Sequence, residues 1–196
     1  GVKNTDIKSK MNIVRLEASS LTLCAAPPLA GCDNRSVPQT AIISQTGFTD
    51  VASVTLTIGS VAPEFSSQDL NGDWVKLSKL RGTKVLMIFY RGHWRPFCVG
   101  HLQDIQTVLP EFENLGYQVL AISPDDATGM QKMTDRMDRP YPFLSDKALE
   151  VTGLYGIRHD DEIPHPAMIL LDQQGIVPWF NIGGDYKQRP SSAQMQ

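Results

Sequence analysis

Two continuous apolar runs, separated by a segment with helical periodicity, constrain the fold of this 196-residue chain more than any other feature. The runs cover residues 84–90 and 117–123, and their length and β-branched content predict strands buried on both faces. Between them, apolar side chains recur at the spacing of one helical face, at Cys98, Leu102, Ile105, Leu109 and Phe112. This order predicts two parallel strands joined by a right-handed helical crossover.

Proline and glycine residues predict where the helices begin and end. Pro96 suits the first helical position, where its missing N–H group is not needed, and Gly116 suits the exit. Pro110 lies inside the same segment and predicts a kinked or split helix. A second helix is expected after the second strand, with Ser123 as its cap and Pro124 in its first position.

The end of the sequence predicts a hairpin, which sets the fold class. Residues 167–171 and 176–180 bracket a turn at residues 172–175, so the last two strands should be antiparallel. Together with the parallel pair, this order predicts an α/β fold with a mixed central sheet and helices on both faces. No run of about 18 apolar residues is present, which excludes an ordinary membrane-spanning helix.

Charge and motif content exclude several classes of function. With 18 basic and 21 acidic residues the net charge is −3, so nothing in the composition favours a nucleic-acid partner. His93, Cys98 and His101 lack a fourth ligand and the paired spacing of a zinc site. No glycine-rich phosphate loop stands out. The sequence therefore predicts no metal and no cofactor.

Residues 1–50 differ from the rest of the chain. They are rich in small and polar residues and show little sustained periodicity, which predicts a poorly structured leader before a domain at 51–190 and a tail at 191–196. Met11 is a candidate start within this leader.

Leu29–Cys32 resembles the lipobox of bacterial lipoproteins. In that family the matching cysteine carries lipid after signal cleavage, which implies an exported protein attached to a membrane in a bacterial envelope through Cys32. Glu17 and the Pro27–Pro28 pair interrupt the apolar stretch before it. The alternative is therefore a flexible leader with two incidental cysteines, Cys24 and Cys32, on a cytoplasmic protein.

The segment Tyr90–Cys98 joins the first strand to the first helix and carries the most reactive chemistry of the chain. It holds two arginines, one histidine, one tryptophan and one cysteine. A helix N-terminus with Arg91 and Arg95 nearby favours the thiolate form of a cysteine, and the thiolate is the nucleophile. Cys98 is thus a candidate reactive residue. Alternatively, Cys98 begins the apolar face of its helix and is a buried, inert thiol.

Several segments resemble the peroxiredoxin family related to alkyl hydroperoxide reductase and thiol-specific antioxidant. The matching segments are Val61–Phe65, Leu77–Gly82, Val85–Gly92, Ala121–Asp125, Phe143–Asp146, Pro166–Asp172 and Asp185–Pro190. The resemblance covers roughly residues 59–190. It implies a thioredoxin-like fold and thiol-based redox chemistry on peroxides or disulfides.

The resemblance also implies roles for individual residues. The related bacterial branch usually carries Trp-Cys-Pro-Tyr/Phe-Cys, and Arg95 stands where its first Cys would be. In peroxiredoxins proper the pattern is Thr-x-x-Cys, which puts the peroxidatic thiol at Cys98 and Arg95 at the Thr position. Arg91, Arg95 or nearby backbone N–H groups would then stabilise the leaving oxygen. The long Arg95 side chain would either steady the thiolate or block the pocket. Pro166 matches the cis-proline that faces the reactive cysteine in thioredoxin-like folds.

Three functions remain open at this stage. The first is a peroxidase that works through Cys98 and needs an external thiol as reductant, because no internal cysteine is placed to resolve its sulfenic acid. The second is a redox-inactive binding module, which the substitution at Arg95 favours. The third is thiol–disulfide exchange, which the loss of the first cysteine impairs. The sequence leaves the oligomeric state open, and an oligomer remains one of the expected forms.

Overall fold

The structure is a computed structural model and describes residues 48–138, 140–184 and 190. The leader predicted over residues 1–50, with Cys24 and the lipobox-like Leu29–Cys32, lies almost entirely outside these residues. The tail predicted over residues 191–196 also lies outside them. The three domain boundaries and the lipid attachment at Cys32 therefore stay predictions.

The described residues form one mixed β-sheet with helices packed against it. The strands in chain order are β1 (Phe48–Thr49), β2 (Ser66–Asp69), β3 (Trp74–Lys76), β4 (Lys84–Phe89), β5 (Tyr117–Ser123), β6 (Phe143–Ser145), β7 (Ala167–Leu171) and β8 (Trp179–Ile182). The α-helices are α1 (Pro96–Asn114), α2 (Ala127–Thr134) and α3 (Glu150–Leu154), and a 3₁₀ turn covers Leu77–Leu80. None of these helices is both long and apolar enough to span a bilayer.

The topology confirms the predicted mixed sheet. The strand order is β1-β8-β7-β4-β5-β6-β2-β3. β4 and β5 are parallel and joined by α1, as the two apolar runs predict, and β5 is also parallel to β6. β7 runs antiparallel to both β4 and β8. The β4–β7 register pairs Phe89 with Ala167, so the carboxyl end of β4 lies beside the start of β7.

Alternation along β4 separates two apolar cores, one on each face of the sheet. Leu86 and Ile88 pack in the cluster that receives α1 and α2, which also contains Cys98. Met87 and Phe89 pack in the opposite cluster, against Tyr155 after α3. Because α1 and α2 cover one face and α3 the other, the prediction of helices on both faces is confirmed.

Two details of the helices differ from the sequence predictions. Of the two outcomes predicted for Pro110, a split is wrong because α1 continues through it to Asn114, whereas a kink stays a prediction. The helix is stabilised by burial of the side chains near Pro110, namely Val108, Leu109 and Phe112, by about 1.5–3 kcal/mol each. Their sum outweighs the roughly 3 kcal/mol cost of an internal proline.

The cap of α2 also differs. Ser123 is the last residue of β5, and Asp126 caps the helix by accepting a 2.9 Å hydrogen bond from the Gly129 N–H. The helix therefore begins at Ala127, later than the predicted position.

Candidate active site

The candidate site lies where the carboxyl ends of the parallel strands β4 and β5 meet the start of β7. In open α/β sheets this edge is where ligands bind. The loop of residues 90–95 leads from β4 into α1 here. Residues 164–166 precede β7, which is the strand next to β4 in the sheet. All four residues predicted for the site, Cys98, Arg95, Arg91 and Pro166, lie in or beside these two segments.

Cys98 is the third residue of α1 and is completely buried, with 0% of its surface exposed. It is the only cysteine among the described residues. Its backbone N–H donates a 3.0 Å hydrogen bond to the Arg95 carbonyl oxygen, and its side chain belongs to an apolar cluster with Leu102 and Ile105. Cys98 therefore has the features of both sequence interpretations. It lies at a helix N-terminus, as a reactive thiol would, and it begins the buried face of the helix, as an inert thiol would.

The two arginines occupy different environments. Arg91 is buried, and its Nε donates a 3.2 Å hydrogen bond to the carbonyl oxygen of Pro164. Arg95 is the half-buried N-cap residue of α1, and its guanidinium lies 5.0 Å from the centre of the exposed Trp94 ring. This distance allows a cation–π interaction. Arg91 therefore ties the loop after β4 to the segment before β7, whereas Arg95 marks the start of the helix.

Pro166 is at the expected place but not in the expected conformation. No peptide bond in the described part of the chain is cis, so the prediction of a cis bond before Pro166 is wrong. Trans is the intrinsically favoured isomer of an X–Pro bond, by about 0.5–1 kcal/mol. On either side of this bond, His165 N–H donates to the Ile157 carbonyl oxygen at 2.7 Å, and Gly183 N–H donates to the Pro166 carbonyl oxygen at 3.1 Å.

Two residues outside the four predicted for the site, His93 and Asp125, form a close pair at this edge. Asp125 is 6% exposed and follows β5, and His93 lies in the loop before α1. The His93 Nδ1 is 2.7 Å from Asp125 Oδ1, and the His93 backbone N–H donates to Asp125 Oδ2 at 2.9 Å. The order Ser-Pro-Asp at residues 123–125, at the end of a buried strand, is the sequence feature from which Asp125 could have been identified.

Two buried residues, Tyr90 and Ser123, lie next to the His93–Asp125 pair. The Ser123 hydroxyl donates a 3.0 Å hydrogen bond to Asp125 Oδ2. The Tyr90 side chain is nearly inaccessible and lies close enough to Asp125 to be influenced by its charge. Burial, and secondarily that negative charge, raise the pKa of Tyr90 far above its ordinary value, so its phenol stays neutral.

A shallow surface depression lies beside the start of β7. Its lining residues are Phe89, His101, Pro166, Ala167, Met168, Asn181 and Pro190. His101 lies one helical turn after Cys98, but Cys98 itself does not reach the depression. In the part of the chain that is described, no three His, Cys, Asp or Glu side chains converge as metal ligands.

Comparisons with known proteins agree with the fold. The model of the AhpC/TSA family matches residues 58–180. Chloroplastic peroxiredoxin Q of Oryza sativa subsp. japonica is 29% identical over 142 residues, which cover 71% of this chain and 65% of that protein. The thiol-disulfide oxidoreductase ResA of Halalkalibacterium halodurans is 28% identical over 131 residues, covering 66% of this chain and 71% of its own.

Solved structures show the same architecture. Peroxidoxin BcpB from Mycobacterium tuberculosis superposes with a TM-score of 0.55 at 24% identity, covering 61% of this chain and 81% of that one. AhpC from Enterococcus faecalis gives a TM-score of 0.63 at 16% identity, covering 70% of this chain and 87% of its own. Likeness at this level of identity concerns the thioredoxin-like fold alone.

Proposed function

Because the chain belongs to the AhpC/TSA family, we propose that it is a thiol-dependent peroxidase whose nucleophile is Cys98. The similar proteins are named as peroxiredoxins and as a thiol-disulfide oxidoreductase, which supports thiol-based redox chemistry in general. The matched region spans 65% of the Oryza sativa peroxiredoxin Q proteins. That a peroxide is the substrate of this chain is therefore part of the proposal.

The position of Cys98 is the observation that carries the proposal. It is the only cysteine of the described chain and lies in the first turn of α1, where the backbone N–H groups leave a partial positive charge. Arg91 and Arg95 lie in the loop directly before that turn. A helix N-terminus and guanidinium groups are donors of the kind that stabilise the negative charge of a leaving oxygen.

The proposed reaction has two stages. The Cys98 thiolate attacks one peroxide oxygen, the O–O bond breaks, and the leaving oxygen takes a proton to become water or an alcohol. Cys98 is thereby oxidised by two electrons to a sulfenic acid. An external thiol then attacks the sulfenic sulfur and releases water, and a second external thiol reduces the mixed disulfide. The external thiols supply the two electrons that restore Cys98.

Burial of the sulfur requires the first turn of α1 to move before a peroxide can meet it, since the side chain has no exposed surface. The neighbours of Cys98 in this region favour such a movement. Trp94 is 57% exposed and Phe97 is 63% exposed, so displacing them removes little apolar surface from the core. Local opening of this kind is common where few apolar contacts fix a segment.

The burial of Cys98 also favours a second candidate function. A thiol in an apolar cluster behaves as an inert core residue, and Arg95 replaces the first cysteine of the related bacterial pattern. A redox-inactive thioredoxin-fold module would show both features. Thiol–disulfide exchange remains the weaker alternative, because only one cysteine lies in the described chain.

Trapping of sulfenic acid separates these functions. The test uses the full chain with Cys24→Ser and Cys32→Ser, so that Cys98 is the remaining thiol. It is treated with hydrogen peroxide below one equivalent in the presence of a cyclic 1,3-diketone, and the adduct is located by mass spectrometry. We expect the adduct on Cys98 in the folded protein and none in the added Cys98→Ser control. Labelling that appears only in urea would refute the peroxidase and support the inert module.

Membrane attachment is a separate proposal that rests on residues 29–32 alone. Expression of the full chain in a bacterium supplied with labelled fatty acid should label the protein through Cys32, and Cys32→Ser should abolish the label. Equal labelling of the two proteins, or none in either, would contradict a lipid on Cys32.

A further inference from the structure

The Asp125 carboxylate joins the end of β5 to the loop that leads into α1. Asp125 Oδ2 accepts hydrogen bonds from the His93 backbone N–H at 2.9 Å and from the Ser123 hydroxyl at 3.0 Å. Asp125 Oδ1 lies 2.7 Å from His93 Nδ1. With the Asp125 carboxyl oxygen as the acceptor, His93 Nδ1 is the donor of this bond. One buried side chain thus fixes both the backbone and the ring of His93.

His93 is held from a second side as well. Arg136, which follows α2, donates a 2.7 Å hydrogen bond from its guanidinium to the His93 carbonyl oxygen. The backbone N–H, the backbone C=O and the ring of this one residue therefore all have partners. Because His93 lies only three residues before the first helical residue Pro96, these bonds fix the direction in which the chain enters α1.

Two glycines allow the loops to approach this closely. Gly92 has a φ of +141°, a conformation that favours glycine, and a Cβ there would lie 2.6 Å from the Trp94 Nε1. On the opposite side, a Cβ on Gly129 of α2 would lie 2.8 Å from both Asp125 Oδ1 and His93 Nδ1. The Gly129 backbone thus lies against the His93–Asp125 pair itself, whereas a Cβ on Gly92 would first meet Trp94 and then Asp125 Oδ1 at 3.3 Å.

We infer that Asp125 is a positioning residue of the site, which holds His93 and, through it, the first turn of α1 in which the Cys98 thiol is buried. This inference rests on the proposed function of Cys98. Asp125 touches neither the thiol nor a peroxide in this account. Its effect is to limit the opening of that turn and to hold the loop that carries the proposed donors, Arg91 and Arg95, against the start of α1.

Two reactions of Cys98 separate positioning from ordinary structural support. Alkylation by iodoacetamide requires only access to the thiol. Reaction with hydrogen peroxide also requires donors aligned with the leaving oxygen. Loss of the His93–Asp125 pair should therefore raise the rate of alkylation and lower the rate of sulfenic acid formation, each by about tenfold or more, as the loss of a charged hydrogen bond implies. A variant that merely loosens the fold would raise both rates.

The variants are made in the full chain that lacks Cys24 and Cys32. Asp125→Asn and His93→Ala remove the pair, and we expect opposite changes in the two rates for both. His93→Asn places an N–H donor at the position of Nδ1 and should restore both rates. Asp126→Asn, which removes the adjacent exposed charge while keeping a good helix cap, is the matched control and should behave as the parent protein.

The outcomes are distinct. If both rates move in the same direction, or if His93→Asn behaves like His93→Ala, the inference is overturned. The histidine variants decide the matter even if Asp125→Asn fails to fold, because the His93 ring is partly exposed. If the parent protein forms no sulfenic acid at all, the proposed function fails, and an unchanged alkylation rate in His93→Ala would then refute the positioning role independently.

Discussion

The Nε of Arg91 donates a 3.2 Å hydrogen bond to the carbonyl oxygen of Pro164, and this bond joins two segments that are 73 residues apart in the sequence. Both residues are buried. Arg91 follows β4, and Pro164 lies just before β7, which is the antiparallel neighbour of β4. The bond therefore fixes the two loops that form this edge of the sheet.

Replacing this arginine tests the contribution of the bond. In Arg91→Lys the positive charge remains, but the Nε donor is lost and the Pro164 oxygen is left buried without it. We expect the free energy of unfolding to fall by about 1–3 kcal/mol. Urea denaturation measures the change. Arg81→Lys, at a half-exposed surface pair with Glu64, should change it by less than about 0.5 kcal/mol, and equal losses in the two variants would contradict the prediction.

Gly129→Ala should destabilise the protein, although alanine favours helices. The new Cβ would lie 2.8 Å from Asp125 Oδ1 and His93 Nδ1 and would force this pair apart. We expect a loss of about 1–3 kcal/mol in the free energy of unfolding, as for other overpacked sites. Gly100→Ala in α1 is the matched control, because nothing lies within 4 Å of its Cβ. That variant should instead gain up to about 1 kcal/mol. A gain in both variants would show that the pair tolerates displacement.

The sheet could be predicted from sequence because its central strands are continuous apolar runs. β4 and β5 have apolar side chains on both faces, and a strand buried on both sides needs no further information to be recognised. The capping of α3 could not be predicted in this way. Asp146 accepts hydrogen bonds from the N–H groups of Val151 and Thr152 across an intervening left-handed Leu149. Such a connection depends on a backbone conformation that side-chain spacing does not encode.

Part of the candidate site could likewise be predicted from sequence and part could not. Cys98 could be proposed as a site residue because a helix start, a strand end and nearby arginines are all local features of the sequence. The partnership of His93 with Asp125 could not be, since the two residues are 32 positions apart and meet only because β4 and β5 are adjacent. The isomer of the bond before Pro166 is likewise not encoded in the motif around it, since the resemblance implies cis and the bond is trans.

His165 should make stability fall at acidic pH. Burial lowers the pKa of His165 below its ordinary value, and the positive charges of His159 and Arg91 add to this effect. The folded protein therefore binds its proton less readily than the unfolded chain, so folding is favoured while the ring is neutral. Stability is retained above about pH 6.5 and falls as the pH is lowered from there towards the folded-state pKa. Urea denaturation of the parent protein and His165→Asn between pH 5 and pH 8 measures the difference.

A variant of His159 tests the cause of the lowered His165 pKa in the same titration. His159 lies with its ring centre 4.9 Å from that of His165, and its charge is the second cause of the lowered pKa. His159→Asn should reduce the acid-induced loss of stability without abolishing it, because burial remains. His165→Asn should remove more of it. A pH dependence that is identical in the parent protein and His165→Asn would contradict the assignment.

Arg95→Cys should create a reducible disulfide with Cys98. Arg95 is the N-cap of α1 with an extended backbone, and Cys98 is the third helical residue, which is the Cys-x-x-Cys spacing at a helix start. Thiol counting before and after oxidant, in the full chain without Cys24 and Cys32, should show loss of two thiols that a reductant restores. Gly100→Cys is the control, because residues two apart in a helix do not face each other. Free thiols in Arg95→Cys after oxidation would mean that Arg95 does not occupy the place of an attacking cysteine.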